Sequence, residues 1–307
     1  MIRLVVKIVI FAILSVAIDN AIGMYLKSGL DNYYGFAKKA KIVCIGNSRM
    51  DLGIDEKSIE HELGVPVAKY ALHGFPYKDI LVLVRHYFEV CATTPKVVVY
   101  NIDFGSVRGE GNISANHYQL LYPYLGNHII RSFVKHNETS WEAFRLREFI
   151  KTFRFNTSLI NIALRENMHS AKRYDKKLKL LDITNYNEAK NLEIKSADIG
   201  RQLTEYKGLS YIDDAIHYLR ARNTKIVFLY IPTVEMIQTP ENRADFEILI
   251  KYLKQRSESD PGIILMTSLK QYENRLELFN DAYHFNSDGR RIATAELTKM
   301  LKSVALH

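Results

Sequence analysis

The sequence predicts an α/β protein: an open, doubly wound parallel sheet in an α/β/α sandwich, with a helical cap inserted into it. Short apolar runs, several of them β-branched, alternate with longer amphipathic segments from residue 41 onwards, which is the pattern of strands wrapped by helices. The chain has 307 residues, of which 47% are hydrophobic. That is enough apolar surface for one large core, or two modest ones, without disulfide or metal support.

The N-terminal segment, residues 1–26, predicts an export signal or a transmembrane signal anchor. Arg3 and Lys7 precede the longest apolar run of the chain, which continues to Ile18. A basic start followed by such a run is typical of both kinds of segment.

Two features leave open whether this segment is retained as an anchor or removed as a signal peptide. Asp19 interrupts the apolar run, and Ser15-Val16-Ala17 forms a weak cleavage signal. We expect an exported or membrane-anchored protein, with a linker over residues 27–40 and the main domain, residues 41–307, outside the cytoplasm.

Five apolar runs have the length and composition of buried strands. They are Lys41–Ile45, Val65–Tyr70, Lys96–Tyr100, Lys225–Ile231 and Ile263–Met266. Ligands bind at the carboxyl ends of the strands in sheets of this kind, so the loops that follow these runs are where a site is expected.

Amphipathic segments between these runs predict helices. They are Asp55–Leu63, Tyr77–Cys91, Tyr211–Arg222, Arg243–Arg256 and Asp288–Val304. Residues 104–209 do not fit the alternation, because they are rich in Tyr, Phe, Asn and charged residues with helical periodicity. We interpret them as the inserted cap. Its aromatic residues could form a sugar-stacking surface, but packing of the cap on the sheet is the favoured interpretation. Those aromatic residues include Tyr118, Tyr122, Tyr124 and Trp141.

Charge and cysteine content argue against several classes of function. The 42 Lys and Arg residues exceed the 34 Asp and Glu residues by 8, but the excess is scattered and no nucleic-acid motif accompanies it. Cys44 and Cys91 lack the spacing of a zinc site or a disulfide framework. No glycine-rich phosphate loop follows the first strand. We therefore expect no nucleic-acid partner, no metal and no organic cofactor.

The first candidate for chemistry is the turn Gly46-Asn47-Ser48, directly after the first predicted strand. Gly46 permits a tight turn, and a serine just past a strand can present its hydroxyl in the cleft while its N–H faces a developing oxyanion. By itself the pattern also fits an ordinary turn or a helix cap.

The second candidate is Asp281-Ala282-Tyr283-His284, between the last strand and the last helix. A histidine three residues after an aspartate can receive that carboxylate on one ring nitrogen and offer the other nitrogen to a serine. A lone Asp-x-x-His turn also fits local backbone capping by Asp281.

Together the two segments resemble the SGNH or GDSL-like hydrolase superfamily, which has a Gly-x-Ser turn after its first strand and Asp-x-x-His before its final helix. The resemblance implies a flavodoxin-like sheet, with Ser48 as nucleophile, His284 as general base and Asp281 as its orienting carboxylate. Gly-Asn-Ser-Arg with a hydrophobic N-terminus is similar to the exported bacterial branch that modifies cell-surface polymers. The implied activity is that of an esterase or O-acyltransferase acting on an acylated glycan or envelope polymer.

The middle motifs of the superfamily match less well. Gly74, after the second strand, fits the glycine that joins the Ser48 N–H in the oxyanion hole. Asn101, after the third strand, keeps the asparagine of a Gly-x-Asn-Asp motif but lacks its glycine. The resemblance implies Asn101 as a further donor to the oxyanion hole. Of the neighbouring residues, His73 is a candidate substrate contact.

Arg49 leaves two roles open. It could bind a substrate phosphate or carboxylate, or it could pair with a structural acid such as Asp51 or Asp103. A further alternative concerns the whole chain, namely a non-catalytic glycan-binding or envelope-assembly protein. The weak third motif and the large insertion favour that alternative, whereas the intact Ser48, Asp281 and His284 oppose it.

Overall fold

The computed structural model describes residues 2–36, 39–108, 116–168, 177 and 207–305. The chain divides into two compact units. The first unit consists of residues 1–37 and 115–172, and the second consists of residues 38–114 and 173–307.

The second unit contains a five-stranded parallel sheet in the order β2-β1-β3-β4-β5. Its strands are β1 (Ile42–Gly46), β2 (Val67–Ala71), β3 (Val97–Ile102), β4 (Lys225–Tyr230) and β5 (Ile263–Met266). The predicted α/β fold with an open parallel sheet is confirmed. The strand order reverses at β1, whose neighbours are β2 on one side and β3 on the other, and such a switch point is where ligands bind in this architecture.

Helices flank this sheet and also form the first unit. Those within the described residues are α1 (Ile2–Tyr33), α2 (Ser48–Gly53), α3 (Glu56–Leu63), α4 (Ile80–Cys91), α5 (Gly105–Arg108), α6 (His128–Asn137), α7 (Trp141–Phe149), α8 (Thr157–Asn167), α9 (Lys207–Arg220), α10 (Pro240–Ser259) and α11 (Ser287–Ala305). Short 3-10 turns cover Tyr77–Asp79, His117–Tyr124, Thr152–Arg154, Glu235–Ile237, Ser268–Tyr272 and Leu276–Leu278.

The core of the second unit is built from the strands and the helices laid against them. Every residue of β1, β2 and β3 is buried, as expected for parallel strands covered on both faces. Cys44 lies in this core, and burial raises the pKa of its thiol to about 12. Neither Cys44 nor Cys91 forms a disulfide, and both are buried, as small apolar side chains commonly are.

In the first unit, α1 continues past the boundary predicted at residue 26. Leu26 and Leu30 are buried, and a Cβ at Gly29 would lie 2.3 Å from the Ala163 carbonyl oxygen. Only glycine allows α1 and α8 to approach so closely. Much of the predicted linker is therefore the packed end of a helix.

The transmembrane helix expected over residues 1–26 is not supported. Across the ranges that the structure covers, no helix combines the length and the apolar character needed to cross a membrane.

The predicted insertion at residues 104–209 falls in both units. Residues 116–168 are largely helical and belong to the first unit, α5 and α9 belong to the second, and most of the remainder lies outside the described residues. Three of the aromatic side chains singled out from the sequence are buried, whereas the Trp141 side chain is exposed. The buried ones are Tyr118, Tyr122 and Tyr124.

Candidate active site

The nucleophile turn, residues Gly46–Met50, follows β1 and starts α2. Asn47 caps this helix, because its Oδ1 accepts the Arg49 backbone N–H at 3.0 Å. Its amide group donates to the Tyr77 hydroxyl at 3.1 Å. A Cβ at Gly46 would lie 2.6 Å from the Asn101 Cβ on the neighbouring strand β3. Glycine is therefore required here, and Ser48 is held at the carboxyl edge of the sheet.

Arg49 belongs to this turn and pairs with Asp103. Its side chain is 10% exposed and that of Asp103 is 4% exposed. Burial acts to lower the pKa of the Arg49 guanidinium, but the Asp103 charge outweighs it and raises that pKa above the ordinary value. Of the roles left open from the sequence, the structure shows the ion pair with a structural acid.

The same guanidinium also contacts two aromatic rings. Its central carbon lies 5.5 Å from the centroid of Phe104 and 6.0 Å from that of Tyr283, both within the range of cation–π attraction. Arg49 thus links the nucleophile turn to the loop after β3 and to the loop that contains His284.

The histidine loop, residues 278–289, is closed by contacts within itself. Asp281 Oδ1 accepts the backbone N–H groups of Tyr283 at 2.9 Å and His284 at 3.0 Å. Asn286 Oδ1 accepts the N–H groups of Asp288 at 3.0 Å and Gly289 at 3.1 Å, at the start of α11. These bonds keep the loop in one conformation.

Three side chains form a continuous hydrogen-bonded line. His284 Nε2 lies 2.9 Å from Ser48 Oγ, although the two residues are 236 positions apart in the chain. His284 Nδ1 lies 2.9 Å from Asp281 Oδ1 and 3.0 Å from its Oδ2. An ionised carboxylate can only accept, so Nδ1 carries the proton and Nε2 accepts the Ser48 hydroxyl.

The charge state of Asp281 agrees with this arrangement. Burial acts to raise the pKa of its carboxyl group. The hydrogen bond and charge of His284, together with the Tyr283 N–H, outweigh burial, so the pKa of Asp281 lies below its ordinary value. Asp281 is therefore ionised at neutral pH.

Two backbone N–H groups were predicted as oxyanion donors. Those of Ser48 and Gly74 make no hydrogen bond to any residue within the described ranges. Gly74 has φ +70°, a conformation that glycine adopts at little cost. It follows β2, whose last residue Ala71 pairs with Gly46 in the sheet.

Asn101 occupies a different place from the one expected. It is fully buried on β3, and its amide nitrogen lies 3.3 Å from the Ile102 carbonyl oxygen and 3.5 Å from that of Leu229. A side chain with no exposed surface cannot contact a substrate oxyanion. The structure does not support Asn101 as an oxyanion donor; it packs against Gly46 instead.

His73 is exposed at the tip of the turn after β2, and its Nε2 lies 2.6 Å from Asp51 Oδ2. Asp51 lies in α2, three residues after Ser48, and also faces the buried Lys69. The sequence analysis did not assign Lys69 a role. A lone lysine inside a strand that is otherwise apolar was the available signal, because buried lysines are almost always paired.

No residue set in the described part of the chain offers a metal site, since no three His, Cys, Asp or Glu side chains cluster with suitable geometry. Asp213 of α9 pairs with Arg256 at 2.8 Å.

Fold and site together define an α/β protein with a serine, a histidine and an aspartate in line at the carboxyl edge of its sheet. No protein-family model matches the sequence, and no curated protein matches it. The chain is similar to a provisionally assigned acylhydrolase from Bacteroides fragilis NCTC 9343, with 10% identity, a TM-score of 0.44 and coverage of 86% of this chain and 87% of that one. It is also similar to a lipase/acylhydrolase from Enterococcus faecalis, with 11% identity, a TM-score of 0.44 and coverage of 86% and 96%.

Proposed function

We propose that the protein is a serine acyl-hydrolase or acyltransferase of the SGNH type. The observation that carries this proposal is the line from Asp281 through His284 to Ser48, with both contacts of the histidine at hydrogen-bond distance. A binding site has no need of a base on a serine hydroxyl, whereas acyl transfer to serine requires one.

The reaction follows from the protonation states. His284 Nε2 takes the proton of the Ser48 hydroxyl as Oγ attacks the ester carbon, and Asp281 stabilises the imidazolium that forms. The carbonyl oxygen becomes an oxyanion that accepts from the Ser48 and Gly74 N–H groups. His284 then returns the proton to the leaving alcohol, and the acyl group remains on Ser48 as an ester.

The second half of the reaction repeats these steps with a new nucleophile. Water or a sugar hydroxyl gives its proton to His284, attacks the acyl-serine, and leaves with the acyl group while Ser48 regains its proton. Esterase and O-acyltransferase share this intermediate, so only the acceptor separates them.

The substrate that we propose is an acyl ester of a cell-surface polysaccharide or envelope polymer. Support for it comes from the sequence resemblance of Gly46-Asn47-Ser48-Arg49, together with the hydrophobic N-terminus. Products formed from an aryl acetate with and without an added oligosaccharide separate the two activities, because acetylated oligosaccharide appears only if the enzyme transfers the group.

Turnover of an activated ester tests the catalytic proposal. We expect the full-length protein to hydrolyse an aryl acetate and to be labelled at Ser48 by a fluorophosphonate, and Ser48→Ala to abolish both signals. Ser257→Ala, which removes a partly exposed serine of α10, is the matched control and should retain both. A folded wild type that shows neither signal would favour the non-catalytic glycan-binding alternative, and hydrolysis that survives Ser48→Ala would overturn the mechanism.

We also propose that the first unit contacts a lipid surface. Every residue from Ile2 to Ile18 is exposed, and most of these side chains are large and apolar. Asp19, where this stretch ends, accepts the backbone N–H groups of Lys151 and Thr152. The exposed rings of Phe149 and Phe153 therefore lie beside the base of the apolar stretch, and exposed aromatic rings next to basic residues favour a lipid interface.

Flotation with vesicles tests this contact. Full-length protein should float with vesicles of phosphatidylglycerol and phosphatidylethanolamine, and a variant with Phe149→Ser and Phe153→Ser should float less. Val90→Ser, which removes an exposed apolar side chain of the second unit, is the control. Equal flotation of all three proteins would exclude a role for these rings.

A further inference from the structure

The contact between His73 and Asp51 joins two segments that follow different strands, the helix after β1 and the turn after β2. Asp51 lies in α2, the helix that Ser48 begins, and His73 lies in the turn after β2. The side chain of His73 is 49% exposed, whereas that of Asp51 is 5% exposed. Packing therefore does not orient His73, and its 2.6 Å contact with Asp51 does.

Asp51 is itself held rigidly by Lys69 of β2. The Lys69 ammonium lies 3.4 Å from Asp51 Oδ1 and 2.9 Å from Glu56 Oε2. It also donates to the backbone carbonyls of Asp51 at 2.9 Å and Ile54 at 3.1 Å. Burial acts to lower the pKa of Lys69, but Glu56 and Asp51 outweigh it and raise that pKa. The Lys69 ammonium thus fixes Asp51 and the end of α2 against the sheet.

The turn that contains His73 is anchored at its ends and not by Gly74 itself. The Leu72 N–H donates to the Gly46 carbonyl at 3.1 Å, and the Phe75 N–H donates to that of Leu72 at 3.3 Å. Gly74 has no side chain, and its backbone is in the left-handed region. His73 is therefore the residue through which the tip of the turn can be held.

We propose that His73 is a positioning residue that aligns the two halves of the oxyanion hole, an inference that rests on the proposed acyl-transfer function. Ser48 and Asp51 are three residues apart on one helix, so they share a face. The bond from Asp51 to His73 ties the Gly74 N–H to the same rigid helix that presents the Ser48 N–H. The two donors keep one separation, as a preorganised oxyanion site requires.

Kinetics of two His73 variants test this role. Misplacing a donor by about 1 Å can cost up to about a hundredfold in rate, and we expect His73→Ala to lower kcat for an aryl acetate by about tenfold. KM and Tm should change little, because the His73 side chain is half exposed and a positioning residue acts on the turn and not on the substrate. His73→Gln should recover most of the lost kcat, since the glutamine amide can reach Asp51 as Nε2 does. His61→Ala, at an exposed histidine of α3, is the matched control.

Hydrogen exchange gives a readout that does not depend on catalysis. Backbone exchange over residues 72–75 should be faster in His73→Ala than in wild type and should return towards the wild-type rate in His73→Gln. Unchanged kcat and unchanged exchange in His73→Ala would overturn the inference, as would a loss confined to KM, which indicates a substrate contact instead.

The two proposals fail in different ways. If the fluorophosphonate labels wild type but His73→Ala behaves like wild type, the positioning role is wrong and the acyl-transfer function stands. If folded wild type is neither labelled nor active, the function is wrong and the positioning role falls with it.

Discussion

The nucleophile turn and the histidine loop reach the same site by different means. The nucleophile turn, residues Gly46–Met50, is held by residues far away in the chain: Tyr77 binds Asn47, and Asp103 pairs with Arg49. The histidine loop, residues 278–289, is held mainly by its own residues, with Asp281 and Asn286 binding backbone groups two or three positions on. Sequence-local contacts therefore shape one half of the site, and tertiary contacts shape the other.

The two halves also differ in exposure. The Arg49–Asp103 pair is nearly buried, whereas the side chain of Asp281 is 45% exposed. Removing one member of a buried pair leaves a charge without water or partner, while a partly exposed carboxylate is screened by solvent. Breaking the Arg49–Asp103 pair should therefore act mainly on folding, whereas replacing Asp281 should act mainly on catalysis.

The largest expected effect is that of His284→Ala. The variant should lose at least about 10⁵-fold in kcat, because the residues of a catalytic unit fail together. Its Tm should stay near that of wild type, since the Asp281 bonds to the loop backbone remain. Aryl acetate hydrolysis and a thermal melt measure the two quantities. A large fall in Tm would show that the histidine loop depends on its side chain for folding.

Asp281→Asn should rank next, with a loss of about 10⁴-fold in kcat, because an amide can favour the wrong histidine tautomer. Fluorophosphonate labelling of Ser48 should slow in parallel. Activity within about tenfold of wild type would mean that Asp281 only shapes the loop. The histidine loop would then not differ from the nucleophile turn in its effect on catalysis.

Arg49→Met tests how much the nucleophile turn depends on its buried ion pair. Leaving Asp103 buried and unpaired should lower the free energy of unfolding by about 3–5 kcal/mol, measured by urea denaturation. Arg256→Met breaks a more exposed pair with Asp213, in which the arginine side chain is 42% exposed, and should cost under about 1 kcal/mol. Equal losses in the two variants would contradict the difference that burial predicts.

Asn286→Ala removes the cap of α11 and should lower the free energy of unfolding by about 1–2 kcal/mol. Asn127→Ala provides the comparison, because Asn127 caps α6 in the other unit with similar bonds, 3.0 Å and 3.1 Å long. Asn286→Ala should lose more stability than Asn127→Ala, because the buried Asn286 amide also donates to the Glu277 carbonyl at 2.7 Å. Only Asn286→Ala should lower kcat, since the histidine loop depends on that cap. If kcat falls in neither variant, the cap of α11 does not contribute to the geometry of the active site.

The smallest effect concerns pH. The pKa of Asp281 is depressed in the folded state, so its contribution to stability is complete above the unfolded value of about 3.9 and is lost as pH falls through the folded pKa. The difference in unfolding free energy between wild type and Asp281→Asn should therefore shrink below about pH 4. A difference that grows on acidification would show that the pKa of Asp281 is not lowered in the folded state.

Periodicity and local motifs predicted much of the fold. All five strands lie within two residues of their predicted ends, because a strand buried on both faces must be a continuous apolar run. The histidine loop was equally predictable, since the bonds that shape Asp281-Ala282-Tyr283-His284 join neighbours in sequence. The extension of α1 to Tyr33 was missed, because Leu26 and Leu30 are spaced among polar residues that suggested a linker.

Only the tertiary structure decided which distant side chains meet. The sequence could place Ser48 and His284 at strand ends, but their 2.9 Å contact depends on the strand order that brings β1 to the switch point of the sheet. The sequence left several possible partners for Arg49, and in the folded chain the loop after β3 places Asp103 next to it. The family resemblance implied Asn101 as an oxyanion donor, but Asn101 packs against Gly46 and its side chain is buried. Local patterns encode backbone conformation and burial, whereas contacts between residues far apart follow from how the whole chain packs.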